Sequence, residues 1–182
     1  MSSINSALFE MHDIRTERLL LRRPKESDWK AISVLRTDPE INKYVKRSSA
    51  PTQCDALAFI SRINNDIDKG TIRYWAITLH DDDVMIGSIC LWNFSMAQKT
   101  AEVGYDLHSR HQGVGIMSEA ISTVLKLGFI SYDLESITAY THKNNARSKI
   151  LLMKHGFDLT DRKDAANKDN LIYQIRKSNQ YR

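Results

Sequence analysis

Arg110-His111-Gln112-Gly113-Val114-Gly115-Ile116-Met117-Ser118-Glu119-Ala120 lies between a strand-like segment, Thr100 to Leu107, and a helical pattern. In that pattern Met117, Ala120, Ile121 and Val124 recur at three- and four-residue steps. Two glycines two apart at a strand-to-helix junction permit backbone conformations, and a closeness of approach, that side chains would block. A phosphate suits that geometry, because free N–H groups at a helix start point outward with the positive end of the helix dipole behind them. A plain tight turn would read the same way. The third glycine of a dinucleotide fingerprint is absent, since its place is taken by Ser118, and no Gly-Lys-Ser/Thr follows to make a Walker loop.

At 182 residues the chain is expected to form one domain over 1–182, with a polar lead, Met1 to His12, that is poorly fixed. Hydrophobic residues at 42% and charged residues at 26% exclude a disordered or fibrous chain. No apolar run approaches the roughly 20 residues of a membrane span, and the N-terminus lacks the apolar block of a signal peptide. A cytoplasmic protein with no membrane role is expected. Cys54 and Cys90 lie far apart without a second Cys or a His at ligand spacing, so they read as buried or incidental thiols rather than a disulfide or metal site, and no metal is expected. The net charge of +4 favours an anionic partner without deciding which.

Working outward, Thr16 to Arg23 reads as a strand stopped by Pro24. Ser27 and Asp28 are helix caps before an apolar side of Trp29, Ile32, Val34 and Leu35, ending near Asp38-Pro39. A second helix over Thr52 to Lys69 carries Ala56, Phe59, Ile60, Ile63 and Ile67. Two strands, Ile72 to Leu79 and Val84 to Phe94, are joined by His80-Asp81-Asp82-Asp83, read as a solvated hairpin tip. In Thr100 to Leu107, alternation puts Ala101, Val103, Tyr105 and Leu107 on one face and Glu102, Gly104 and Asp106 on the other. From periodicity alone Glu102 reads as a solvated strand residue sooner than as a catalytic one. After a helix from Gly113 to about Tyr132, Ser136 to Thr141 alternates as a strand. Asn145 then caps a helix with Ala146, Ile150 and Met153 as its inward stripe, and Gly156-Phe157 is its left-handed stop. Leu171 to Ile175 is the last strand.

Arg110-x-x-Gly113-x-Gly115 resembles the pyrophosphate-loop signature of the GNAT superfamily of N-acetyltransferases. With Glu119-Ala120 after it, Gln112-Gly113-x-Gly115 looks like the RimJ/RimL-type branch, the ribosomal-protein N-terminal acetyltransferases. Thr16 to Arg22 (T-E-R-L-L-L-R), Ala101 to Tyr105 (A-E-V-G-Y) and Asn145 to Phe157 are similar to further motifs of that family in the same order. The resemblance implies a single α/β domain, a mixed and mostly antiparallel sheet of about seven strands flanked by helices. Its fourth and fifth strands, here Thr100 to Leu107 and Ser136 to Thr141, splay apart.

It further implies transfer of an acetyl group from acetyl-CoA directly to a primary amine, most readily a protein N-terminal α-amine. Glu102 would be the general base. Leu107, Ser109, Arg110, His111, Gln112, Gly113, Val114, Gly115 and Ile116 would hold the cofactor, joined by Asn145 and Ser148. Many members carry a tyrosine five residues before the Gly-Phe phenylalanine to protonate the leaving thiolate, yet Leu152 stands there. In the RimJ/RimL-type branch a serine is the replacement candidate and maps onto Ser148, whose bland role is a helix-surface hydroxyl. The loop Tyr44 to Pro51 is expected to help choose the acceptor, a ribosomal protein N-terminus among the possibilities. A small-molecule amine acceptor (polyamine, amino acid or aminoglycoside-like) and a non-catalytic acyl-CoA-binding domain stay open, as does a homodimer. No nucleic-acid role is implied.

Overall fold

The computed structural model describes residues 11–45 and 47–178. In chain order they form β1 (Ile14–Arg15), β2 (Leu19–Arg22), α1 (Trp29–Thr37), α2 (Pro39–Asn42), α3 (Gln53–Asp68), β3 (Arg73–Leu79) and β4 (Asp82–Ser95). There follow β5 (Thr100–Leu107), α4 (Ile116–Ile130), β6 (Ser136–His142), α5 (Ala146–Lys154), β7 (Asp158–Leu159) and β8 (Asn170–Arg176). The strands make one sheet in the order β1-β2-β3-β4-β5-β6-β8-β7, antiparallel except for the β5–β6 pair. The architecture is the expected mixed α/β one. It has eight strands among the described residues rather than about seven, because Ile14 and Arg15 pair with Leu21 and Leu20.

The first strand is shorter than Thr16 to Arg23 because Thr16 closes a turn: its backbone N–H donates to Leu19 O at 2.9 Å. Of the polar lead, residues 1–10 lie outside the described residues, while Met11 packs against buried side chains on both faces of the sheet.

Each face of the sheet has its own apolar layer. On one, Trp75, Ile89, Ala101, Val103 and Leu107 meet Ile116, Ala120, Ile121 and Val124 of α4 and Leu152 of α5. On the other, Tyr74, Ala76 and Met85 meet Ile32 and Leu35 of α1 and Ala56, Ile60, Ile63 and Ile67 of α3. The four α3 residues recur at four, three and four positions, which is why that helix was legible. Thr52 starts it with a reciprocal cap: Asp55 N donates to Thr52 Oγ1 and Thr52 N donates to Asp55 Oδ2, both at 3.1 Å.

Several local expectations need correction. Val34 is exposed, whereas Ile32 and Leu35 are buried in the core and Trp29 packs against it. Asp28 makes no side-chain cap to α1. Its carboxylate instead accepts both terminal nitrogens of Arg22 at 2.8 Å, with the two side chains only 3% and 2% exposed. Asp82 and Asp83 belong to β4 rather than to a turn, and Asp83 accepts from Arg22 Nε at 2.5 Å and from Lys25 Nζ at 2.7 Å. All three aspartates are exposed at the hairpin tip, as expected, and Asp83 also serves as an ion-pair partner there.

The inward stripe of α5 differs from the expected Ala146, Ile150 and Met153. Ala146 is exposed, as are Ile150 and Met153 at 64% and 55%, whereas Ser148, Leu151 and Leu152 face inward. The helix stop is as expected: Gly156 has φ +80°, Phe157 N donates to Leu152 O and Gly156 N to Met153 O. Phe157 is buried behind it.

Candidate active site

The chain leaves β5 through a short 3₁₀ turn, Ser109–His111, and reaches α4 through Gly113 and Gly115, with φ +82° and +85°. Those angles lie outside the helical region, so α4 starts at Ile116 and not at Gly113. A Cβ on Gly113 would meet no atom within 4 Å, so this part of the loop borders open space. The N-cap of α4 is Gly115, without a side-chain cap, which leaves the first-turn amides uncovered by any side chain of the cap residue. Ile116 is buried beneath the loop and Val114 is exposed.

Two arginines that the sequence did not single out brace this loop. Arg18 donates from Nη1 to Val114 O at 3.0 Å, and from its backbone N and Nε to the Glu119 carboxylate at 2.8 and 2.7 Å. Arg147 donates to Gln112 Oε1 at 2.6 Å, while Gln112 Nε2 donates to Leu107 O at 2.8 Å. With Arg110 this places three guanidinium groups on or against the loop, a setting suited to an anionic ligand. His108 accepts from Arg110 N at 3.3 Å and lies edge-on to His111, so both histidines are part of the turn itself.

Glu119 ties this helix to the start of β2, also accepting from Thr16 Oγ1 at 2.5 Å. Burial pushes the carboxyl up, but Thr16 and Arg18 outweigh it and hold the group below its ordinary range. A depressed folded-state pKa contributes stability above the unfolded value, about 4.3, and loses it as pH falls through the folded one. Glu119→Gln is expected to lower stability by about 1 kcal/mol near neutral pH. Thermal unfolding run from neutral to strongly acidic pH should show the gap from wild type closing at the acid end.

Next to the loop the sheet opens. β5 and β6 pair only at Thr100–Ser136, Ala101–Ile137 and Glu102–Thr138, so from Val103 onward the two parallel strands are apart. Glu102 stands at the last paired position, half-buried, on the face that bears α1 and α3. Asn93 donates to Glu102 Oε1 at 2.7 Å. Asn93 has φ +50° and is part of a register shift between Trp92 and Ser95, a bulge in β4 beside Glu102. Trp92, directly across from Glu102, is 46% exposed. Tyr140 is exposed on β6, and burial together with the Glu102 charge pushes its hydroxyl up.

On this same face Asp106 accepts from Ser88 Oγ at 2.6 Å and from Arg47 Nη1 at 2.5 Å. Arg47 also bonds Asn42 Oδ1 and Leu35 O, and Tyr44 stacks on His142 with ring centroids 5.2 Å apart. The loop Tyr44 to Pro51 thus touches both β5 and β6 where they part; its Lys46 lies outside the described residues. Cys90 is beside this cluster, and burial and Asp106 push its thiol up to about 12, which makes it a poor nucleophile.

The opposite face carries Ser148. Asn145 Oδ1 accepts from Ser148 N at 3.1 Å, capping α5, and the Ser148 hydroxyl is 2.8 Å from the hydroxyl of Tyr105. Tyr105 went unnoticed in the sequence because alternation placed it in an apolar row, and nothing local signals a partner 43 residues away. Leu152 is fully buried in the core, so no acid acts from that position. Glu102 and Ser148 are therefore presented on opposite sides of one opening. Among the described residues no group of three or more His, Cys, Asp or Glu is placed to hold a metal ion, and no helix is long and apolar enough to cross a membrane.

A sequence profile of the acetyltransferase (GNAT) domain matches residues 18–158. The chain is similar to N-acetyltransferase p20 of Bacillus licheniformis, 31% identical over 147 residues, covering 81% of this chain and 83% of that one. Among solved structures it resembles the ribosomal-protein-S5-alanine acetyltransferase of Vibrio fischeri, with TM-score 0.80 and 21% identity over 92% of this chain and 98% of that one. It also resembles RimJ of Mycobacterium smegmatis in complex with CoA-disulfide, with TM-score 0.75 and 23% identity over 87% and 81%.

Proposed function

The chain belongs to the GNAT acetyltransferase family and is an acetyl-CoA-dependent acetyltransferase, and from that premise we propose that its acceptor is the α-amine at the N-terminus of a protein. A ribosomal protein is the first candidate, because solved structures of the same fold include a ribosomal-protein-S5-alanine acetyltransferase. The observation that carries the reading is the placement of Glu102 and Ser148 on opposite faces of the opening between β5 and β6.

In this reading the loop holds acetyl-CoA. Backbone amides of Gln112, Gly113, Val114, Gly115 and Ile116 meet the pyrophosphate, with Arg110 and His111 beside it. Leu107, Ser109 and Asn145 border the path toward the opening. The thiol beside the opening, Cys90, is held protonated and is a poor nucleophile, so transfer is direct. Glu102 takes the proton of the attacking amine, directly or through water, as the C–N bond forms. Ser148 donates a hydrogen bond to the sulfur as the C–S bond breaks and negative charge gathers there. The thiolate then takes a proton from water.

The acceptor follows from acid–base chemistry. An α-amine with pKa about 7.8 is roughly one-tenth neutral at pH 7, whereas a lysine-like amine near 10.4 is neutral only a few times in ten thousand. That difference is about 3.5 kcal/mol of attack-competent amine, which suits a single carboxylate base to the α-amine. The surroundings also disfavour a polycation. Asp106, beside the first two helices, is already paired with Arg47, and Arg36 lies close enough to Arg47 for their charges to oppose each other.

Thiol release from acetyl-CoA should be measured across peptides with free N-termini, N-blocked peptides containing lysine, polyamines and aminoglycosides. Release with free N-termini alone is the expected result. Release with polyamines or aminoglycosides would replace the acceptor, and CoA binding with silence throughout would make the protein a binding domain.

A further inference from the structure

The missing tyrosine has a counterpart elsewhere in the fold. Leu152 fills the position from which many relatives are expected to present a phenol, yet a phenol reaches the same helix from β5: the Tyr105 hydroxyl is 2.8 Å from Ser148 Oγ. Both partners are held in place. Tyr105 pairs with Ile89 across the sheet, Ile89 pairs with Trp75, and both of those are fully buried. The backbone of Ser148 is fixed by the Asn145 cap. The contact bridges β5 and α5 where β5 has lost its pairing with β6.

A serine hydroxyl has one hydrogen. If Ser148 spends it on Tyr105, none remains for a sulfur in the opening. We propose that Tyr105 is a positioning residue for the transfer: its O–H donates to Ser148 Oγ and so commits the serine hydrogen to the leaving sulfur. This rests on the role given to Ser148 above. Tyr105 is suited to be the permanent donor because burial, only partly countered by the Ser148 bond, pushes its hydroxyl up to about 12, whereas a thiol titrates near 8.5. No proton moves along the pair. The thiolate leaves hydrogen-bonded to Ser148, which is itself polarised by Tyr105, and is then protonated from water.

Tyr105→Phe keeps the ring and its packing while removing the donor. The test compares wild type, Tyr105→Phe, Ser148→Ala and the double variant of the full chain, with two readouts. The first is kcat and KM with acetyl-CoA and the acceptor peptide that gives the fastest thiol release. The second needs no turnover: the pKa of the thiol of bound CoA, followed by its thiolate absorbance.

Ser148→Ala is expected to lower kcat about twentyfold and to raise the bound thiol pKa, as for loss of a hydrogen bond to a charged group. Tyr105→Phe should lower kcat about fivefold with KM for acetyl-CoA unchanged, and shift the thiol pKa the same way by less. In the Ser148→Ala background Tyr105→Phe should change neither. If Ser148→Ala alters neither readout, the role of Ser148 is wrong and the proposal goes with it. If Ser148→Ala acts but Tyr105→Phe does not, or acts equally in both backgrounds, Tyr105 does not work through Ser148 and the proposal alone is overturned.

Discussion

Glu102→Gln is expected to lower kcat by about a hundredfold to a thousandfold, within the span a positioned general base supplies. The amide is close to the carboxylate in size, and Asn93 Nδ2 can still donate to its oxygen, so the substitution leaves the local bonding largely intact and removes mainly the basicity. Acetyl-CoA binding, measured by calorimetric titration, should be unaffected, because the loop amides and its arginines are contributed by other residues. The loss should therefore appear in kcat, with the dissociation constant unchanged. A variant that turns over at the wild-type rate would remove Glu102 from the base role and leave orientation of the amine as the source of catalysis.

The largest expected loss of stability lies far from the chemistry, at Arg22 and Asp28. Both side chains are almost fully buried, and two parallel 2.8 Å bonds join them. Removing one partner of such a pair strands a charge in a medium that cannot solvate it, at a cost of about 3–5 kcal/mol. Arg22 keeps a second carboxylate, since Asp83 accepts from its Nε and the Asp83 carbonyl from its Nη2. Asp28→Ala is accordingly placed at the low end, about 3 kcal/mol. At this chain length that is a drop of roughly 10 °C in the unfolding midpoint, read by calorimetry. Lys25→Ala is the control. Its ion pair with Asp83 is exposed on both sides and should be worth well under about 1 kcal/mol. Equal losses from the two variants would mean that the buried pair has no special weight.

These two sites differ in how far the sequence disclosed them. Glu102 sits in a strand whose limits, Thr100 and Leu107, are the ones that alternation predicts, and its face follows from the same period of two. The core of α3 was legible for a similar reason: its apolar residues lie on one side and Thr52 marks the start. Asp28 looked like a cap because an acidic residue before an apolar run usually is one. What decides its role is Arg22, on a strand, and Asp83, 61 positions beyond Arg22, and no local pattern carries that.

In α5 the nine residues hold apolar side chains on two sides, Ile150 and Met153 on one and Leu151 and Leu152 on the other, so periodicity cannot choose the buried side. The sheet chooses it, and the same rotation brings Ser148 inward to Tyr105. The glycine loop was readable as a loop. Its supports, Arg18 and Arg147, arrive from β2's approach and from α5, and neither neighbours it in sequence.

The short parallel seam also has a mechanical consequence. With only three residue pairs joining β5 to β6, the backbone ladder couples the β1–β5 half of the molecule weakly to the β6–β8 half, and much of the remaining cohesion comes from helices lying across the join. A thioester arm lodged along that seam would act as a keystone. Each turnover would then loosen and re-lock the two halves, so amide exchange in β6 becomes a gauge of whether the arm is in place.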